Sequence, residues 1–376
     1  MTGTGGAREP ESRPNPSGAA RAVWDAKAPG PGVGPGGAPA AIALTPILAA
    51  RYRTRDLEAI QAAAPGARLV SVGFDGHPDG PLDDVEVMLR GRLPAEAFDR
   101  VLSRAPALRW VHSATAGVER VLTPASRARG LVITNARGVF SRPIAEYVLL
   151  MMLTAARRLP QLLELQAERT WQPLEARELR DVTLGIVGLG SIGRAVGALA
   201  TAFGCRVMAT RRRPDAGADA DAAEGAGDEP FPGTLMLDRV LAPEQLPELL
   251  AECDFIVLAA PLTEDTRGII SDEAIAQMKP GAWVINVARG ELVDERALAR
   301  ALREGRLGGA VLDTFVEEPL PPSSPLYDVP NLIITPHTAW SSTRVLDRSV
   351  GLFADNLRRY AEGRPLVNVV DPNAGY

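Results

Sequence analysis

From about residue 41 onward, short apolar runs alternate with segments whose apolar positions recur at helical spacing. The runs AIAL (41–44), ARLVSVGF (67–74), DVEVMLR (84–90), LRWVHSA (108–114) and LVITNA (131–136) predict buried strands. Between them, DLEAIQAAAP (56–65) and PAEAFDRVLSRA (94–105) predict helices. A second series follows: TLGIVGLG (183–190), CRVMATRRR (205–213), DFIVLAAPL (254–262), AWVINVARG (282–290), GGAVLDTF (308–315) and NLIITPH (331–337), again with helical segments between. Strand–helix alternation of this kind predicts parallel sheets built from βαβ units, and two series predict two α/β domains. A long helix starting near Pro143 and running through YVLLMMLTAA (147–156) joins them, Pro143 being tolerated in its first turn. A last helix, over about 342–362, is expected to cross back onto the first domain and stop near Gly363.

Composition narrows the picture. Residues 1–40 hold 16 Gly or Pro and are read as a disordered tail, because such a stretch cannot bury enough apolar surface to offset the entropy of ordering. Segment 214–233, with six acidic residues among Ala, Gly and Pro, reads as a solvated loop. Charge is nearly balanced, 41 basic against 46 acidic, without a block of five like charges, so no nucleic-acid or membrane partner is expected. The 147–156 run is about half of what a bilayer span needs. The N-terminus does not read as a secretory signal, so a cytoplasmic protein is expected. Two distant cysteines, Cys205 and Cys253, and three scattered histidines predict no disulfide framework and no metal site.

The most specific local signal is 183–193, TLGIVGLGSIG. Gly188, Gly190 and Gly193 stand in GxGxxG spacing between an apolar strand and a helical pattern. There Gly188 permits a tight turn, Gly190 lets backbone approach a pyrophosphate, and Gly193 lets helix pack on strand. The helix start, with Ser191 and Ile192 nearest, offers unpaired N–H groups and a positive dipole end to the anion. Eighteen residues beyond Gly193, where an acidic residue would hold the ribose hydroxyl of NAD, stand Thr210, Arg211 and Arg212. Guanidinium groups match a 2′-phosphate, so NADP is favoured and NAD remains possible.

The runs MKPGAWVINVARGELVDERAL (278–298) and GAVLDTFVEEPLPPSSPLYDVPNLIITPHTAW (309–340), with the ending LVNVVDPNAGY (366–376), resemble the D-isomer-specific 2-hydroxyacid dehydrogenases over about 41–376. The resemblance implies a Rossmann-like cofactor domain (143–336) inserted into a discontinuous flavodoxin-like substrate domain (41–142 and 337–376). It places the family's catalytic Arg, Glu and His on Arg289, Glu318 and His337. It also implies that N–H groups of Ala116 and Gly117 hold the substrate carboxylate, and that Ala288 and Asp313 line the cofactor, Asp313 at the nicotinamide carboxamide. Homodimers formed through the cofactor domain are a further expectation by resemblance.

The chemistry of those residues agrees. Reducing a 2-keto acid needs a cation to polarise the carbonyl and hold the carboxylate, and a proton for the developing alkoxide. Arg289 and His337 have the right side chains, and an adjacent carboxylate, Glu318, would favour the acid form of the imidazole. Taken singly, the three could be a surface ion pair, a loop charge and a strand cap. Pro261 and Thr266 follow a strand end in the expected cofactor crevice. Arg90, ending its strand, could face a second anionic group on the substrate or be a surface residue of an Arg-rich chain. Trp171, Trp283 and Trp340 are read as packing, Trp340 near enough to His337 to wall the site; His77 and His112 are read as structural. The expected activity is reduction of glyoxylate- or hydroxypyruvate-type 2-keto acids. A formate dehydrogenase is disfavoured because that relative carries Gln where Glu318 stands. A phosphoglycerate dehydrogenase remains open, though without a regulatory domain after Tyr376. The alternative from another class is a dinucleotide-sensing protein of corepressor type without turnover.

Overall fold

The computed structural model describes residue 34 and residues 36–47, 52–212 and 234–372. The first domain is a five-stranded sheet of β1 (Ala41–Leu44), β2 (Arg68–Ser71), β3 (Val85–Arg90), β4 (Trp110–Ser113) and β5 (Val132–Asn135), flanked by α1 (Thr54–Ala63), α2 (Ala95–Arg104) and α3 (Pro124–Ala128). All its strands are parallel, in the order β2-β1-β3-β4-β5 of flavodoxin-like folds.

The second domain opens with α4 (Ser141–Ala156) and α5 (Leu159–Ala167). It continues through β6 (Thr183–Val187), α6 (Ser191–Ala202), β7 (Arg206–Thr210), β8 (Arg239–Leu241), α7 (Leu246–Glu252), β9 (Phe255–Leu258), α8 (Asp272–Gln277), β10 (Trp283–Asn286), α9 (Glu295–Arg303), β11 (Gly309–Leu312) and β12 (Leu332–Ile334). Its seven parallel strands run β12-β11-β10-β9-β6-β7-β8, so the chain reverses direction across the sheet at β6. Such a switch point opens a crevice at the carboxyl ends of the strands.

Parallel sheets must be covered on both faces, which is why their strands read as unbroken apolar runs. Val148 and Met152 of α4 lie in one core with Ala195, Val196 and Ala200 of α6, whose small side chains let the two helices approach closely. The last helix, α10 (Val345–Ala361), returns to the first sheet and buries Val350, Phe353 and Leu357 against Ile42, Val87 and Trp110.

Several expectations change. The stretch read as a tail ends earlier than residue 40: the Gly37 N–H donates to the Ala361 carbonyl at 2.6 Å, and Gly34 lies against the Tyr360 backbone. Residues 1–33 of that tail and the acidic 214–233 segment lie outside the described residues. Strand β8, three residues at the sheet edge, had no apolar run long enough to announce it. Trp171 is fully exposed rather than packed, and α5 has no buried residue although it carries four leucines, Leu159, Leu162, Leu163 and Leu165. Trp283 does pack, stacking on Phe255 with 6.4 Å between ring centroids.

His112 is structural. Its ring is wholly buried between Trp110 and Phe353, with Nδ1 2.8 Å from the Thr134 hydroxyl. Burial pushes the imidazole down to about 3. The unfolded chain, with an ordinary histidine near 6.5, therefore takes up this proton first. A depressed folded value means stability present above about pH 6.5 and lost as pH falls toward about 3, at up to roughly 1.4 kcal/mol per pH unit. Denaturant titrations from pH 6.5 to 5 should show the wild type losing about 2 kcal/mol relative to His112→Leu. A parallel pH dependence in the two proteins contradicts this.

Candidate active site

The dinucleotide turn is built from steric necessity. Gly188, at the end of β6, has φ +100°, a region open to glycine, and a side chain there would overlap the backbone of Ala259 and Ala260 beyond β9. A side chain on Gly193 would overlap the Gly188 carbonyl, whereas one on Gly190 would meet only open space. Gly190 caps the twelve-residue helix α6 without a side-chain hydrogen bond. The first-turn N–H groups of Ser191 and Ile192 therefore border an open cradle, which fits a pyrophosphate. Thr210 ends β7; Arg211 is 9% exposed and its N–H donates to the Leu241 carbonyl, and Arg212 is exposed beside it. At the end of β9, the Thr266 hydroxyl donates to the Pro261 carbonyl at 2.7 Å and accepts the Thr263 N–H at 2.8 Å. Thr266 thus closes the loop that displays Pro261.

Arg289 follows β10 and is aimed by Asn286, a fully buried residue that sequence reasoning passed over. The Asn286 side chain accepts the Ala288 N–H at 3.0 Å and donates to the Arg289 carbonyl at 2.7 Å. An Asn accepting from the N–H two residues on is an Asx turn, so the signal was present in NVAR. The Arg289 guanidinium donates to the Ala288 carbonyl at 2.7 Å and faces Glu119 at 3.3 Å. A side chain on Gly117 would overlap that guanidinium, so the loop of the first domain and the β10 turn of the second meet here. The Thr115 carbonyl accepts the Ala136 N–H, and the Ala116 carbonyl accepts the Asn135 side chain. In a trans peptide the N–H points opposite its carbonyl, so the N–H groups of Ala116 and Gly117 turn away from β5.

His337 follows β12. Its Nδ1 lies 2.9 Å from one carboxylate oxygen of Glu318, whose other oxygen accepts the Phe315 N–H at 3.1 Å. Gly290 lets the Arg289 turn lie flat on the Phe315–Val316 backbone, since any side chain there would overlap it. Arg289 and the Glu318–His337 pair are thereby neighbours. His337 itself has φ +49°, and its carbonyl accepts the Trp340 indole N–H at 2.7 Å, with Trp340 edge-on to Phe140. Asp313 after β11 is 1% exposed and its oxygens accept from Thr335, Thr338 and Ala339, the segment around His337.

Arg90 requires correction. It is 2% exposed, its guanidinium donates to the carbonyls of Leu93 and Arg120 and lies 5.0 Å from the Phe98 ring centroid. The side chain braces the loops after β3 and β4 from inside, so it is not a surface residue. Among the described residues, no His, Cys, Asp and Glu group could hold a metal ion, and no helix is long and apolar enough to cross a membrane.

A glycine cradle at the switch point of a doubly wound sheet, beside a second α/β domain, defines a two-domain dinucleotide-binding protein. The chain belongs to the D-isomer specific 2-hydroxyacid dehydrogenase family, whose NAD-binding-domain pattern matches residues 149–339. It is 32% identical over 299 residues, 77% of this chain and 82% of the relative, to a glyoxylate reductase of Korarchaeum cryptofilum. The structure of a D-isomer specific 2-hydroxyacid dehydrogenase from Xanthobacter autotrophicus Py2 in complex with NADPH and MES is similar at TM-score 0.76 and 31% identity, covering 90% of this chain and 100% of that one. An NADPH-dependent glyoxylate/hydroxypyruvate reductase from Sinorhizobium meliloti, in complex with NADP and sulfate, is similar at TM-score 0.71 and 28% identity, covering 89% and 99%.

Proposed function

We propose that this chain reduces 2-keto acids of the glyoxylate and hydroxypyruvate type to D-2-hydroxy acids, with NADPH as the preferred reductant. The observation that carries the reading is the placement of Arg289 beside the Glu318–His337 pair at the carboxyl ends of β10 to β12, on the sheet that holds the glycine cradle. When bound, the nicotinamide supplies a hydride to the carbonyl carbon. Arg289 holds the substrate carboxylate and polarises the carbonyl, with the N–H groups of Ala116 and Gly117 on the carboxylate. The Glu318 carboxylate accepts the Nδ1–H of His337, which leaves Nε2 to give a proton to the oxygen that becomes the hydroxyl. In the oxidation direction the same nitrogen accepts it. The glyoxylate and hydroxypyruvate reductases among the relatives support this substrate class. Oxidation of NADPH by glyoxylate, hydroxypyruvate and phenylpyruvate tests it, and a chain inert toward all of them is not a keto-acid reductase.

Arg211 carries the cofactor preference, with Arg212 beside it and Thr210 at the strand end. A charge-assisted contact to phosphate contributes about 1.5–3 kcal/mol, or roughly 10- to 150-fold in affinity. The ratio of kcat/KM for NADPH over NADH should exceed one in the wild type and fall to or below one in Arg211→Asp. A wild type that uses NADH better rules out this role for the arginines.

The assembly is a homodimer that covers the apolar face of the second domain. Leu163 is 55% exposed and Trp171 fully exposed, large apolar side chains of the kind an interface covers. Light scattering should give twice the chain mass for the wild type and one chain mass for Leu163→Asp with Trp171→Asp; a monomeric wild type contradicts the dimer.

A further inference from the structure

The segment Thr335 to Trp340 belongs to no helix or strand, yet it must hold an imidazole to within a hydrogen bond of Glu318. It does so with His337 in the left-handed region, a conformation that the surroundings must impose. Asp313 supplies the restraint: one oxygen accepts the Thr335 hydroxyl at 2.6 Å and the Thr338 N–H at 2.8 Å, and the other accepts the Ala339 N–H at 2.9 Å. A further member stands on α4, where the Tyr147 hydroxyl lies 2.6 Å from the Thr335 hydroxyl.

Counting protons fixes the direction of the chain. A carboxylate only accepts, so Thr335 spends its one proton on Asp313, and Tyr147 must donate to Thr335. Burial pushes the Tyr147 phenol up to about 12, so that proton stays in place at neutral pH. The helix that carries Tyr147 packs on α6, whose first turn borders the pyrophosphate cradle.

We propose that Tyr147 and Thr335 are positioning residues for His337: the relay from Tyr147 through Thr335 to Asp313 fixes the imidazole in the frame of the cofactor domain before substrate arrives. The proposal rests on the proton-donor reading of His337. It assigns α4 a double task, bracing the dinucleotide helix on one face and the acid–base residue through one hydroxyl.

Thr335→Val and Tyr147→Phe, each made in the wild type and in His337→Gln, test it. In the wild type, Thr335→Val should lower kcat about 10-fold and Tyr147→Phe about 3-fold, with KM for the keto acid and Kd for NADPH within about twofold. In His337→Gln neither should slow the remaining turnover by more than about twofold, because the residue they act through is gone. Thr335→Ser, which keeps the hydroxyl, should restore the rate. Equal losses in both backgrounds, or no loss in the wild type, overturn the proposal. A second readout is independent of turnover: with three histidines in the chain, the ring nitrogens of His337 can be followed by nuclear magnetic resonance. The signal of its Glu318-bound N–H should broaden or disappear in Thr335→Val and persist in Thr335→Ser. An unchanged signal in both Thr335→Val and Tyr147→Phe overturns the clamp. A wild type that reduces no keto acid removes the reductase reading instead, and the resonance then still decides whether the relay holds the ring.

Discussion

His337→Gln should yield a protein that folds, binds NADPH as the wild type does, and turns over keto acid roughly 10²- to 10⁴-fold more slowly. The size follows from what is removed. The developing alkoxide would have to take its proton from water, while the amide keeps roughly the shape of the ring and can still reach Glu318. Folding is safe because the imidazole is 42% exposed and is no part of a core. The loss should fall on kcat with little change in KM, since the proton moves only as the carbonyl is reduced. Turnover within threefold of the wild type removes His337 as the proton donor.

Arg289→Gln should reduce kcat/KM roughly 10²- to 10³-fold, the range for losing a charge-stabilising donor in a closed site. Two effects combine. The guanidinium fork that grips a carboxylate is lost, and Glu119, now 3.3 Å from that guanidinium, is left as an unbalanced negative charge facing an anionic substrate. The double variant Arg289→Gln with Glu119→Gln should therefore recover part of KM but not kcat. Steady-state kinetics of the three proteins check this; an Arg289→Gln protein within threefold of the wild type places the carboxylate elsewhere.

Much of the architecture was legible because parallel strands buried on both faces leave unbroken apolar runs, and all eleven such runs became strands. The glycines were legible for a related reason: Gly188 and Gly193 stand where backbone meets backbone, and a side chain is forbidden there by contact distance alone. Less readable was anything decided by a partner distant in sequence. Nothing around Arg90 distinguishes a strand end facing a crevice from one whose guanidinium is taken by the carbonyls of Leu93 and Arg120. Asp313, Thr335 and Tyr147 span nearly half the chain, and their relay exists only once α4 is laid beside β12. Leu159, Leu162 and Leu163 of α5 and Trp171 beyond it are apolar enough to suggest burial, yet a single chain leaves them exposed. Asn286 is the instructive exception, since its Asx turn is local and was open to reading beforehand.

The proposed reaction is a direct hydride transfer onto a 2-keto acid in a site that presents one face of the carbonyl. The measurement closest to it is reduction of hydroxypyruvate or phenylpyruvate with NADPH carrying deuterium at the transferring position, followed by mass and chiral analysis of the product. One deuterium at C2 and the D configuration are expected, with the label absent from products of unlabelled cofactor. A product without the label, or of L configuration, would contradict it.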